Sequence, residues 1–402
     1  MKAVIAIDSL KGSLSSMEAG QAVRDGILKA KPDADVIIKP LADGGEGTTD
    51  ALIEGMNGER VPLRVTGPFG KPVNCYYGYL SKSQTAVMEM ASAAGITLEP
   101  VRDPMKATTR GVGEMILHAI ENGCRDFIIG IGGSATNDGG IGMLKALGYE
   151  FWDQNGQDVG DGGQALAKIA SFSEENAEPR LKECRFRVAC DVTNPLCGPM
   201  GATYIYGPQK GVTEDLLEPL DAGMANYARV VTSAPGTISF EKNSPERNLS
   251  GDGYTPAFRS ENSTIPRLAE MPGAGAAGGL GFAFLRFLNA ELTPGVDLIL
   301  NAVELEKEVM NADVVVTGEG RLDHQTAMGK APIGVAKLGK KYGARVIAFA
   351  GSVAPGAEAC NEAGIDAFFS ILRGVCTLEE AMDPQNAREN LSRTAEQVFR
   401  LL

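Results

Sequence analysis

Met1-Lys-Ala-Val-Ile-Ala-Ile-Asp8 is an apolar run without polar alternation, short enough for a strand and closed by a carboxylate. Continuous runs of this kind mark strands covered on both faces, the habit of parallel sheets. Behind it, residues 16–29 place Ala19, Val23, Ile27 and Leu28 at helical spacing. Asp-Val-Ile-Ile-Lys-Pro (35–40) then predicts a second strand and residues 46–55 a second helix. The last hundred residues repeat the style. Asp313-Val-Val-Val-Thr317, residues 345–350 and residues 366–371 read as strands. Helices are expected at 332–342, 357–364 and 379–401, the last interrupted near Pro384.

Neither terminal block can build a sheet covered on both faces, but together they supply about five strands, an ordinary sheet. The middle reads differently. Residues 64–66, 73–80 and 84–90 are short alternating strands around Gly and Pro turns, an antiparallel signature. A helix at 113–122 and strands at 126–131 and 185–190 follow. The expected fold class is therefore α/β, in two domains. A discontinuous Rossmann-like parallel-sheet domain (residues 1–62 and 290–402) receives an inserted, mixed α/β domain (63–289). The alternative is two sequential domains split near residue 210. Residues 242–266 are polar and poor in aliphatics, and read as a long exposed loop.

The composition narrows the function. The chain has 402 residues, with 38 Lys+Arg against 51 Asp+Glu, a formal charge of −13. With no basic cluster, that balance excludes a nucleic-acid partner, which needs cations to displace phosphate counterions. Only His118 and His324 are present, too few for the usual zinc or di-iron sites. No apolar run is long enough to span a membrane, and the N-terminal apolar run meets a charge at Asp8, too early for a signal peptide. Seven cysteines without a C-x-x-C pair fit a reducing, cytoplasmic setting. Glycine is in excess: 50 residues, where an average chain of this length would hold roughly 28. The excess belongs in turns, or where backbone closely approaches a ligand.

Much of it falls in clusters with acids, hydroxyls or lysines, several at strand exits, where α/β sheets bind ligands. Asp8-Ser-Leu-Lys-Gly12 follows the first strand, and Ala42-Asp-Gly-Gly-Glu-Gly-Thr48 the second. Gly130-Ile-Gly-Gly-Ser-Ala-Thr-Asn-Asp-Gly-Gly140 is the strongest candidate phosphate or carboxylate cradle. Cys190-Asp-Val-Thr-Asn-Pro-Leu-Cys-Gly198 offers Asp191 and Asn194, and lacks the second ligand pair that zinc would need. Thr317-Gly-Glu-Gly-Arg-Leu-Asp323, with Lys330 beyond it, puts acids and bases around a glycine turn. Gly273-Ala-Gly-Ala-Ala-Gly278 matches G-x-G-x-x-G, but no strand precedes it, as a dinucleotide fingerprint requires. Carboxylates, amide-rich loops and a few cations are the parts of phosphoryl transfer to a small polar acid.

The ordered series DSLKGS (8–13), PLADGGEGT (40–48), GGSATNDGG (132–140), ACDVTNPLCGPMGA (189–202), PGAGAAGGLG (272–281), TGEGRLDHQT (317–326) and GKAPIGVA (329–336) resembles the bacterial glycerate kinase type I family over nearly the whole chain. The resemblance implies an ATP-dependent, Mg²⁺-requiring kinase acting on D-glycerate, commonly at the 2-hydroxyl, in a cleft between two α/β domains. Within that frame Asp191 is the candidate base and Lys11 the stabiliser of the moving phosphoryl group. Asp8, Ser9, Asp43, Asn194 and Arg321 are candidates for substrate, Arg321 for its carboxylate. Asp43 and Glu319 are candidates for the metal. Gly132, Gly133, Ser134, Ala135, Thr136 and Lys330 are candidates for the nucleotide. The partners so implied are small molecules, with the oligomeric state open. Phosphorylation at the 3-hydroxyl, a hydroxy-acid dehydrogenase and a non-catalytic metabolite sensor are the competing readings.

Overall fold

Strand β1 (Lys2–Ile5) lies inside a five-stranded parallel sheet, between β2 (Asp35–Ile38) and β11 (Val314–Leu322). Ala3 sits opposite Val36 on one side and Val314 on the other. Strands β12 (Arg345–Val353) and β13 (Ala367–Ser370) complete the order β13-β12-β11-β1-β2, every pair parallel. Ala3, Val4 and Ile5 are fully buried, as a strand covered on both faces must be. The computed structural model describes residues 1–233 and 267–402, so the polar segment 242–266 lies outside the described residues.

One face of this sheet is covered by the helices Ser16–Ala30 and Pro384–Arg400. The first opens on a capping box, in which Ser15 and Glu18 each accept the other's backbone N–H. The two helices touch at Gly26, where a Cβ would stand 2.2 Å from the Ser392 carbonyl. The break near Pro384 is a fresh start. Asp383 caps the second helix by accepting from the Asn386 N–H, and Pro384 needs no N–H in the first turn.

The middle of the chain forms a six-stranded mixed sheet. Strands β3 (Glu59–Thr66), β4 (Pro72–Leu80) and β5 (Thr85–Glu89) are antiparallel neighbours. Then β6 (Asp126–Gly130), β9 (Arg185–Ala189) and β10 (Glu291–Thr293) continue in parallel, giving the order β10-β9-β6-β5-β4-β3. A small hairpin pairs β7 (Glu150–Trp152) with β8 (Ser171–Ser173). The first sheet draws strands from both ends of the chain and the second only from between them. The second sheet reaches slightly past the expected 63–289 at both ends, through β3 from Glu59 and β10 at Glu291–Thr293.

The two sheets share a core. Val4, Ala6, Val315, Val346 and Ala348 from the first form one buried cluster with Leu80, Val87, Ile128 and Ala189 from the second. The helices Thr48–Met56 and Gly295–Ala302 supply Leu52, Leu298 and Ile299 to it. Among the described residues no helix is long and apolar enough to cross a membrane.

Candidate active site

Three strand ends of the first sheet place carboxylates within electrostatic reach of one another. Asp8, beyond β1, is 8% exposed and accepts the Ser9 N–H at 2.7 Å. Its pKa rises to about 7. Burial is the main cause; the Ser9 bond opposes it, Asp43 and Glu319 add to it, and Lys11 opposes it. Asp43, beyond β2, folds back to accept the Gly45 N–H at 2.9 Å. Glu319, near the end of β11, accepts from the Thr326 hydroxyl at 2.7 Å. Burial raises its pKa, against the pull of Thr326 and Lys330 and with a contribution from Asp43. Lys330 stands 3.9 Å from Asp323 at the start of the helix Ala331–Lys341.

The second sheet builds a cavity of about 380 Å³ beyond the carboxyl ends of β6 and β9. Gly132, Gly133 and Ser134 form one side, Asp191 and Val192 another, and Gly44 and Gly45 reach in from the first sheet's β2 loop. That reach explains one glycine. Gly44 has φ +86°, and a Cβ there would lie 2.7 Å from Gly295 Cα and 2.8 Å from Ala189 Cβ. Asp191 is exposed as a residue, yet its carboxylate accepts the Gly295 N–H at 2.8 Å. Desolvation raises its pKa, the Gly295 bond opposes this, and Asp43 and Asp297 add to it. Asp43 is thus the electrostatic link between the acids of the first sheet and Asp191. Titratable groups held this far from comfort are a mark of functional sites.

The cradle is narrower than the sequence implies. Gly132 and Gly133 are exposed, and a Cβ on Gly132 would meet nothing within 4 Å. The Ala135 N–H, in contrast, is committed to the Ala94 carbonyl at 2.9 Å. Thr136 is fully buried behind the loop, away from the cavity lining. Asn194 is spent structurally: it donates to the Met200 carbonyl at 2.8 Å and accepts the Tyr206 hydroxyl at 2.6 Å. Tyr206, not Asn194, lines the cavity. Arg321 is exposed near the end of β11, and its side chain makes no hydrogen bond or ion pair among the described residues.

Sequence reasoning missed Lys210, which lines the cavity with Tyr206 and Gln209 while only 2% exposed. It also missed Glu89 at the end of β5, whose carboxylate accepts the Thr49 N–H at 2.9 Å. That bond anchors the helix following the glycine loop 44–47. Neither residue follows a glycine-rich strand exit, so the rule that found the other clusters passes over them. The G-x-G-x-x-G match is not a dinucleotide fingerprint, although its Ala276 and Ala277 line the cavity. It follows a short 3-10 turn, Arg267–Glu270, instead of a strand. Ala277, Gly278 and Gly279 are left-handed in succession, and a Cβ on Gly278 would fall 2.0 Å from the Thr136 carbonyl.

Among the described residues, no three His, Cys, Asp or Glu side chains converge to hold a metal ion by themselves. The oxygen donors Asp43 and Glu319 suit a hard cation that brings most of its own ligands, as Mg²⁺ does when it arrives on phosphate.

The model of the glycerate kinase family matches residues 3–402. The chain is 44% identical over 400 residues to the glycerate kinase of Bacillus subtilis strain 168, covering 99% of this chain and 97% of that one. It is 43% identical over 400 residues to the glycerate 2-kinase of Escherichia coli K12, with the same coverage. Among solved structures it is similar to a putative glycerate kinase 2 from Salmonella typhimurium LT2. The TM-score is 0.84 at 42% identity, over 99% of this chain and 97% of that one.

Proposed function

The chain belongs to the glycerate kinase family and is a kinase, and from that premise we propose that it transfers the terminal phosphoryl group of ATP to the 2-hydroxyl of D-glycerate, between the two sheets. The observation that carries this reading is the cavity in which Asp191 and the open backbone of Gly132–Ser134 face a common space, with the Asp43–Gly45 loop joining it to Asp8, Lys11 and Glu319.

Phosphoryl transfer asks mainly for positioning and charge neutralisation. Asp191 accepts the proton of the attacking hydroxyl, and the desolvation that raises its pKa makes it a stronger base for that proton. The hydroxyl oxygen forms the new bond to the γ-phosphorus, the bond to the β-phosphate oxygen breaks, and ADP leaves. Lys11 balances charge on the moving group, while the N–H groups of Gly132, Gly133 and Ser134 hold nucleotide phosphates. Lys330 adds a second cation on the first-sheet side. Asp8 and Ser9 take the substrate's hydroxyls, and Arg321, free of other partners, its carboxylate. Asp43 and Glu319 would hold Mg²⁺, whose contribution when bound is to neutralise phosphate charge. The enzyme works in the cytoplasm, where its seven unpaired cysteines stay reduced.

The test is incubation with D-glycerate and MgATP, with ADP assayed and the product identified by ³¹P NMR. The expected product is 2-phosphoglycerate. A 3-phosphoglycerate signal would reassign the hydroxyl, and absence of ADP would remove the reading.

A further inference from the structure

Lys210 has no role in the steps above, yet it underlies the loop that they use. Its Nζ donates to the Ser134 hydroxyl oxygen at 2.7 Å and to the Thr136 carbonyl at 2.7 Å. An ammonium carries three donors, so one N–H remains beyond these bonds. Lys210 makes no ion pair among the described residues, and the carboxylate that favours its charge is Asp138. Asp138 is fully buried and already accepts from the Thr109 N–H, the Thr109 hydroxyl, the Gly140 N–H and the Gly142 N–H. Burial pushes the Lys210 pKa down to about 7. From neighbouring elements, Tyr206 lines the cavity with its hydroxyl bound to Asn194, Arg102 donates to the Gln209 carbonyl at 2.7 Å, and Asp191 lines the same cavity. A buried cation with so little counter-charge, under backbone open to the cavity, calls for an anion as its missing partner.

We propose that Lys210 is the positioning residue of the anion loop: it holds Ser134 and Thr136 so that the 132–134 backbone is presented to a nucleotide phosphate, and it takes up a proton when that phosphate arrives. The inference rests on the assignment of this loop to nucleotide and adds to it a linkage with pH. A neutral amine keeps two N–H groups, enough for both loop bonds, so the loop keeps its shape in either state. Only the charge beneath it changes. The incoming anion favours the charged form, and by linkage the charged form binds the anion more tightly.

The experiment is calorimetric titration of the whole protein with MgADP at pH 8, in buffers of differing ionisation heat. At this pH MgADP is fully ionised, so proton uptake reports the protein. Wild type is expected to take up a substantial fraction of one proton. Its affinity should weaken by up to about tenfold per pH unit above neutrality. Lys210→Arg, permanently charged, is expected to bind without uptake and with a flat pH profile. Lys210→Met is expected to bind at least about tenfold more weakly, also without uptake. Wild-type binding without uptake, or uptake that persists in Lys210→Arg, overturns the linkage and leaves the function standing. Failure of wild type to bind MgADP at all overturns both.

Discussion

Asp191 is held by one backbone bond to Gly295 and otherwise faces the cavity, so its carboxylate can be changed without disturbing packing. Asp191→Asn is expected to fold normally and to lower kcat by about 10²–10⁴-fold, the range for loss of a positioned base. Steady-state kinetics beside thermal unfolding would check it, and wild-type turnover would take Asp191 out of the mechanism. Arg321→Ala should raise KM for glycerate at least about tenfold with kcat nearly kept, since it removes binding common to ground and transition states. An unchanged KM would end its carboxylate role. Asp8 makes a different prediction. Its folded pKa of about 7 stands above the usual 3.8, so the folded protein holds more protons than the unfolded chain between these values. Stability therefore falls as pH rises through that window, and the full penalty applies above pH 7. Asp8→Asn removes it. Without Mg²⁺ at pH 8 the variant should melt a few degrees higher than wild type, with little difference at pH 4 and with activity lost. A lower melting temperature at pH 8 would contradict this account of burial. The placement of these acids was legible in the sequence because each follows directly on an apolar strand. Lys210 was not, because its importance comes from packing against Ser134 and Thr136, far away in the chain. Asn194 erred in the opposite direction: next to Asp191 in sequence, it is occupied with its own turn.

At the scale of elements, the glycines of the two loops answer to different demands. Gly132 has open space where a Cβ would go, whereas Gly44 is left-handed and wedged between Gly295 and Ala189. Gly132→Ala should change stability by less than about 0.5 kcal/mol but raise KM for ATP about tenfold, because its methyl enters the phosphate space. Gly44→Ala should cost roughly 2–4 kcal/mol from backbone strain and overlap. Denaturant titration and KM measured on both variants separate the two demands; equal destabilisation would contradict the contrast. The sequence marked the Gly44 loop as a site of close approach, but not what approaches. For Gly44 it is protein, from a helix some 250 residues onward. The strands of the parallel sheet were readable from their apolar runs, and the antiparallel β3–β5 from alternation. The order of the second sheet depends on long-range pairing that local pattern does not encode.

For the whole molecule, the shared cluster between the sheets makes their stabilities inseparable. Interfaces between lobes are often polar and loose, but here Leu298 and Ile299 fill a core with walls from both sheets. The single tryptophan, Trp152, lies on β7 in the middle of the chain and reports on that part alone, while far-UV circular dichroism reports on all of it. The two probes should give coincident unfolding curves. Ile299→Ala should shift both together by about 2–5 kcal/mol. Separated transitions in wild type would show that the shared core does not couple them.

The position of β1 also sets an order of assembly. One of its two neighbours, β2, is made within the first forty residues, but the other begins at Val314. At about 5–20 residues per second of synthesis, the first strand waits roughly 15–60 s on the ribosome for that partner. Through this interval Ala3, Val4 and Ile5 have one open edge, while the strands β3 to β10 can already pair among themselves. The last-made quarter of the chain therefore closes a sheet whose first strand was made long before it, and a nascent chain halted before β11 would present an unpaired apolar edge to the chaperones that screen for it.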